Sequence, residues 1–394
     1  MDPILVVGAG PVGLSLALGL IRKNIPVRVF DQRPCIARDP RATTLQPPVL
    51  EAFEDWGVLR DLQRDGRVIR DLHYWDWTRK RKLASFDYSM IDDDTPCPYR
   101  IHLDQAGISQ VLVDAIEKAR PGTIHWGHKA VGMEVGGDQV QLTTQTRDGH
   151  VAIHRGRWLA GADGSNSWVR RQVGARWEGP SHRETFLTVR LERDALRDLA
   201  EVAGERLAGV SYLFLRDDWA MVMDMPDHVR LLFRAGGTDA EELSRSAMEE
   251  RSLELLGNAH RHLTTLGLYH VSLRMASQLV FDNVVILGDA AHSAYPVGGT
   301  AMNAGILDAH HLVWALSQEG DHDEALFRYS SARKLWAQRY LLNETRDAVK
   351  AMDAHWPWTR LVRNLSTSRL DATPAAQRTY LRKVSMLSDR TGAS

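Results

Sequence analysis

Short apolar runs bounded by small residues alternate along this chain with longer runs of helical period. Ile4-Leu5-Val6-Val7 is branched and apolar with no polar alternation, the pattern of a strand buried on both faces in a parallel sheet. A helical run follows from Leu14 to Lys23, then a second strand, Val27-Arg28-Val29-Phe30, that ends at Asp31. The same design returns twice. Arg157-Trp158-Leu159-Ala160 runs as a strand into small residues, and Asn283-Val284-Val285-Ile286-Leu287 reads as a further buried strand ahead of a long helical run from about Thr300 to Leu316. Between these units the pattern changes. Tyr212 to Leu215, Trp219 to Met223 and Val229 to Arg234 predict antiparallel strands, and His73-Tyr74-Trp75-Asp76-Trp77 predicts a strand with one face buried. Residues 345–394 are predicted to be helical.

Composition narrows the class. The chain has 394 residues, 44% hydrophobic and 25% charged, enough for a sizeable core, with the charge content of an ordinary globular protein. Basic and acidic side chains nearly cancel, 49 against 50, which gives no electrostatic footprint for nucleic acid. Two cysteines, Cys35 and Cys97, cannot form a metal cage or a disulfide framework and point to a reducing compartment. The apolar stretch Ile4 to Ile21 has no basic segment before it and contains Gly8, Gly10, Pro11 and Gly13. It therefore reads as strand, turn and helix rather than as a secretion signal. No run has transmembrane length, and the expectation is a cytoplasmic protein with no membrane span.

The first turn carries candidate chemistry. Gly8-Ala9-Gly10-Pro11-Val12-Gly13 fits G-x-G-x-x-G between a predicted strand and a predicted helix. In such a unit the first glycine allows a tight turn, the second lets a pyrophosphate approach the backbone, and the third lets helix and strand pack closely. The helix N-terminus then offers free N–H groups to phosphate. Asp31 lies 18 residues after Gly13, close to the spacing of an acid that binds a ribose hydroxyl. Dinucleotide binding follows, but this unit alone does not choose between NAD and FAD.

Two later segments decide for FAD. They are Gly161-Ala162-Asp163-Gly164-Ser165-Asn166-Ser167-Trp168-Val169-Arg170 and Gly288-Asp289-Ala290-Ala291-His292, the latter followed by Pro296-Val297-Gly298-Gly299. With the first turn, they resemble the three flavin fingerprints of the para-hydroxybenzoate hydroxylase family, the single-component flavoprotein monooxygenases. The resemblance spans residues 4 to about 340. It implies that Gly8, Gly10, Pro11, Val12 and Gly13 receive the pyrophosphate, and that Asp31, with Gln32 and Arg33 beside it, meets the adenosine end. Arg41 resembles an arginine that reaches back to the FAD, and Gln105 a glutamine that opens a helix beside the flavin. Asp163 resembles the acid of the Asp-Gly motif, although an acid in this place also caps a helix. Asp289 resembles the acid that bonds the ribityl chain. Pro296 and Gly299-Thr300-Ala301-Met302-Asn303 would pass along the flavin ring. Ala301 departs from the family pattern, which has glycine there. His292 is a weak candidate for proton transfer, since a histidine packed under a loop is usually structural.

The expected architecture is α/β: a Rossmann-like FAD-binding domain with an inserted antiparallel-sheet substrate domain and C-terminal helices. The FAD-binding domain takes 1–71, 100–175 and 266–344, the substrate domain 72–99 and 176–265, and a helical segment 345–394. Tyr212, Phe214 and Met223, with Pro296 and Val297, are candidate substrate contacts, because small-molecule sites are mostly apolar. The resemblance implies a monooxygenase. NADH or NADPH would visit as a transient reductant, and molecular oxygen and a small, aromatic substrate would react through a flavin hydroperoxide. A flavin dehydrogenase or oxidase, a reductase without oxygen insertion and a non-enzymatic flavoprotein are the alternatives. No Trp-x-Trp-x-Ile-Pro segment of the halogenase branch occurs. Substrate identity and oligomeric state are not legible in the sequence.

Overall fold

The run Ile4–Val7 forms a strand in which every residue is buried. Its neighbours are both parallel, Trp158–Gly161 on one side and Val27–Asp31 on the other. A computed structural model, which describes residues 2–37, 43–180, 184–216, 218–234, 253, 256–354 and 356–388, extends this core to six strands. Their order is Val280–Phe281, Val284–Ile286, Trp158–Gly161, Ile4–Val7, Val27–Asp31 and Ile124–Trp126. Only the first pair is antiparallel. Such a sheet needs apolar side chains on both faces. One face packs on the helices Pro11–Arg22 and Thr300–Ser317. Leu5, Val7 and Phe30 turn to the other face, where they meet Val140 and Leu142 of a three-stranded antiparallel sheet, Lys129–Gly136, Gln139–Gln145 and Val151–Gly156.

A second large sheet has seven strands. Leu263–Val271, Glu184–Leu191, Val229–Arg234, Trp219–Asp224 and Val210–Phe214 run antiparallel in that order, and Asp71–Asp76 then joins in parallel, with Arg81–Asp87 at the edge. Parallel pairing needs a long crossover, and the separation of Asp71–Asp76 from Val210–Phe214 in the chain provides it. The expectation that His73–Trp77 buries one face is corrected, because the strand is buried on both faces. Leu72 and Tyr74 point into a core shared with Leu341, Val349, Met352, Leu381 and Leu387 from the C-terminal helices. Trp75 and Trp77 point into a separate core with Leu199 of the helix Ala195–Ala203. The C-terminal segment therefore forms one wall of this sheet. Its helices Glu344–Met352, Pro357–Thr367 and Pro374–Val384 supply contacts such as the hydroxyl pair Tyr74–Tyr380 and the Arg100 Nη2 donation to the Val384 carbonyl, 2.8 Å. Among the described residues, no helix is long and apolar enough to cross a membrane.

Candidate functional site

The turn after the first strand is shaped by what its glycines leave out. Gly8 has φ +107°, a conformation that favours glycine, and a Cβ there would lie 2.4 Å from the Ala162 carbonyl oxygen. A Cβ on Gly13 would lie 2.0 Å from the Gly8 carbonyl oxygen, so this glycine sets how closely the helix meets the strand. Gly10 differs: a Cβ there meets nothing within 4 Å. Gly10 is the N-cap of Pro11–Arg22, and Leu14 makes the first helical bond to its carbonyl, 2.9 Å. Pro11 at the first helical position has no N–H to satisfy, and the next N–H groups, of Val12 and Gly13, have no carbonyl of their own helix to bond. This cradle fits a pyrophosphate.

Asp31, at the end of the next strand, accepts hydrogen bonds from the Ala9 N–H, 2.7 Å, and from the Arg33 backbone, 2.9 Å, and side chain, 2.8 Å. Burial pushes its carboxyl up, but the Arg33 and Ala9 donors together outweigh it and hold the pKa below the usual value. The charge therefore persists at neutral pH next to the glycine turn.

The other two segments close around this turn. Asp163 accepts from the Ser167 hydroxyl, from Trp168 N, 2.6 Å, and from Val169 N, 3.0 Å. It caps the short helix Trp168–Gln172 while still facing the cavity described below. Arg170, on that helix, donates to the Ser165 carbonyl, 2.8 Å, and to the Ala290 carbonyl, 3.1 Å. One guanidinium thereby fixes the second segment to the third.

Beneath the third segment is a buried ionic cluster. Asp308 accepts from Gly288 N, 3.1 Å, from His292 Nε2, 2.6 Å, and from Arg333 Nε, 2.7 Å. Burial raises the carboxyl, yet His292 and Arg333 hold it well below its ordinary value. This carboxylate orients the turn that carries Asp289. His292 is consumed by the contact and does not reach the cavity wall, so the structure gives it a supporting place rather than the proton-transfer place considered from sequence. The loop at 296–299 is held from the other side. Asn303 donates to the carbonyls of Thr44, 2.7 Å, and Gly299, 2.6 Å, and accepts from Gln46 N, 2.8 Å, while Gln46 Nε2 donates to the Gly298 carbonyl, 2.7 Å.

The three segments line one cavity of about 680 Å³, within the usual range for ligand sites. Gly8, Gly10, Pro11, Val12, Asp31, Gln32, Arg33, Gln105, Asp163, Asp289, Pro296, Gly299, Ala301 and Met302 are on its wall. Gly13, Thr300 and Asn303 are not; they act through packing, helix initiation and loop support. Arg41 lies outside the described residues, as does the side chain of Val297.

The far wall divides the candidate substrate contacts. Met223 lines the cavity, but Tyr212 and Phe214 do not. The three share one sheet face, and register explains the outcome. Met221 lies opposite Leu232, and Met223 opposite Arg230; these four side chains border the cavity. Tyr212 and Phe214 stand one strand further out, where Tyr74 stacks on Tyr212 at 4.9 Å and the Arg363 guanidinium covers Phe214 at 4.3 Å. Sequence reasoning missed Arg230, whose guanidinium is buried in the wall with Asp104 3.9 Å away. It also missed Asp308 and Arg333. Asp308 did leave a signal: it is an acidic residue in a helix, Thr300–Ser317, that has no other Asp, Glu, Lys or Arg.

Comparison with known proteins agrees with this geometry. The family model described as FAD binding domain matches residues 1–344. The chain is 31% identical over 348 residues to para-nitrophenol 4-monooxygenase of Pseudomonas sp. strain WBC-3, covering 85% of this chain and 83% of that one. It is 30% identical to 6-methylpretetramide 4-monooxygenase of Streptomyces rimosus, covering 88% of this chain and 61% of that one. Among solved structures, p-nitrophenol 4-monooxygenase of Pseudomonas putida DLL-E4 superposes with a TM-score of 0.88 at 25% identity, over 99% of both chains.

Proposed function

Since the chain belongs to the FAD binding domain family, among aromatic FAD-dependent monooxygenases, we propose that it hydroxylates a phenolic ring with NADH or NADPH as reductant and molecular oxygen as oxidant. The observation that carries the reading is the continuity of the cavity: the glycine turn, Asp31 and Asp289 line the same cavity as Met221, Met223, Leu232 and Arg230. A dinucleotide on the first group of residues would present its ring to the second.

FAD, when bound, supplies the redox chemistry, taking up a hydride and activating oxygen. The balance is one substrate C–H, O₂, NAD(P)H and a proton going to C–OH, NAD(P)⁺ and water. The protein's part is binding, orientation and dryness. Gly10 and the helix N-terminus at Val12 would hold the pyrophosphate, with Gly13 setting the close packing of that helix. Asp31 would meet the adenosine ribose, and Asp289 the ribityl hydroxyls. Asp163 keeps the second segment in place through the helix it caps. Asn303 and Gln46 hold the loop at 296–299, which would pass along the ring, and Gln105 opens its helix at the cavity edge. Met221, Met223 and Leu232 exclude water from the reacting carbon. Arg230 makes that wall positive, which suits a ring bearing an ionised phenol oxygen.

The test uses ¹⁸O₂. Purified enzyme with FAD, NAD(P)H and a panel of phenols should consume the reductant faster with the right phenol, and the product should gain one labelled oxygen atom. Label from H₂¹⁸O, or a product that has only lost hydrogen, would replace this reading with a dehydrogenase or oxidase.

A further inference from the structure

Among the described residues, three thioethers line the cavity. Met221 and Met223 stand two residues apart on one face of the strand Trp219–Asp224, and Met302 lies in the first turn of the helix Thr300–Ser317. They are only 6%, 3% and 8% exposed. Leu232 on the same wall shows that a plain aliphatic side chain serves to exclude water there. Methionine brings in addition a polarisable sulfur that two-electron oxidants convert to a sulfoxide.

Met223 is the best placed of the three. The Thr43 hydroxyl donates to its sulfur, 3.7 Å, a contact that joins residues 180 positions apart. Thr43 is itself buried and lines the cavity. The next residue, Thr44, accepts from Asn303 through its carbonyl, 2.7 Å, and a Cβ on Gly299 would lie 2.9 Å from its side chain. The sulfur is thus tied to the segment that packs on the loop at 296–299, the loop that would pass along the flavin ring. A thioether sulfur is a weak acceptor and a sulfoxide oxygen a better one, so the hydroxyl that holds the sulfur is placed to hold the oxidised product as well.

We propose that Met223 is a site of oxidative self-modification, converted to the sulfoxide by hydrogen peroxide formed in the cavity when reduced FAD meets oxygen with no phenol in place. The proposal rests on the reading of this cavity as an oxygen-activating flavin site. Reduced FAD passes two electrons and two protons to O₂, which leaves as H₂O₂. A lone pair of the Met223 sulfur then attacks one peroxide oxygen. The O–O bond breaks, an S=O bond forms, and the other oxygen departs as water. The sulfur loses two electrons and the peroxide gains them. An oxygen dipole then stands in the apolar wall that keeps water from the reacting carbon, so turnover without product degrades the wall that turnover needs.

The test follows the oxygen atom. The FAD-loaded full chain is reduced under argon with stoichiometric dithionite and then opened to ¹⁸O₂, in repeated cycles, with and without catalase in the buffer. Peptide mass spectrometry reads ¹⁸O at each methionine. Oxidants in the bulk attack methionines by exposure, and Met90, Met133 and Met386 are all more open than Met223. Oxidation inside the cavity inverts that order. Met223 should carry roughly tenfold more label than those three or better, since proximity supplies far larger factors. Catalase should not change this, and methionine sulfoxide reductases should remove the label. The visible band of bound FAD should shift as label accumulates and hold its place in Met223→Leu, a swap that keeps the volume. No label at Met223, label that follows exposure, label that catalase abolishes, or a band that shifts equally in Met223→Leu would each overturn the proposal. Neither NAD(P)H nor a phenol enters these cycles, so their outcome is separate from the hydroxylation reading, which stands or falls on ¹⁸O in the phenol product.

Discussion

The two ends of the cavity are built from different material. At the dinucleotide end the functional groups are backbone: a turn with Gly8 at φ +107°, a helix N-terminus and N–H groups, with Asp31 and Asp289 as side-chain acceptors. At the other end they are side chains of ordinary type, Met221, Met223, Leu232 and Arg230, presented by cross-strand register. Backbone sites leave marks in a sequence, because only glycine tolerates the geometry. Side-chain walls leave none, because a methionine facing a ligand and one facing a core have the same pattern.

The largest expected effect tests whether the dinucleotide end depends on support from below. Asp308→Asn breaks a buried ion pair and leaves Arg333 without its charge partner, which should cost about 3–5 kcal/mol. Chemical denaturation of the apoprotein measures it, and a loss below ~1 kcal/mol would mean that the cluster does not hold the Gly288 turn. A pair of glycine substitutions then separates packing from binding. Gly13→Ala forces a Cβ against the Gly8 carbonyl and should destabilise the apoprotein by about 1–3 kcal/mol, occasionally more. Gly10→Ala meets open space and should leave apoprotein melting unchanged while weakening FAD binding. Equal melting losses in the two variants would erase the distinction.

Asp289→Ala removes one acceptor and should weaken FAD by about 1.5–3 kcal/mol, roughly 10–200-fold, by fluorescence titration. Wild-type affinity would make Asp289 a turn residue and no more. An effect that is absent at neutral pH and grows only in acid lies at the seam between the two ends. His102 is fully buried with Nδ1 on the Asp224 carbonyl, 2.9 Å, and burial lowers its pKa to about 4. An unfolded histidine titrates near 6.5. As pH falls from 6.5 toward 4 the unfolded chain takes up the proton first, so stability is lost across that window, about 2 kcal/mol by pH 5. His102→Asn should flatten that part of the stability–pH curve. An unchanged slope would assign the acid sensitivity elsewhere.

Particular residues show where the sequence was legible. Ile4–Val7, Val27–Asp31 and Val284–Ile286 are predicted and found as strands, because continuous burial selects branched apolar residues. The three strands between 210 and 234 are likewise found. The aromatic run 73–77 was legible as a strand but not as one buried twice, since its second cover comes from residues some 300 positions later. Asp163 shows a mixed case: its helix cap was readable from local spacing, while the Arg170 bridge to Ala290 spans 120 residues and was not.

The sequence by itself determined the dinucleotide end: strand, glycine turn, helix and acid are local in the chain, and each is restricted by stereochemistry that few residues satisfy. Only the tertiary structure decided the rest. Register placed Met223 on the cavity wall and Tyr212 one strand further out, where Tyr74 stacks on Tyr212 and Arg363 of a C-terminal helix covers Phe214. The fold also consumed the polar face of the helix Pro357–Thr367 and left its apolar stripe outside. Those outcomes depend on which surfaces meet across long separations, and hydrophobic burial is non-directional, so residue type alone cannot say which side of an apolar residue finds a ligand, a core or solvent.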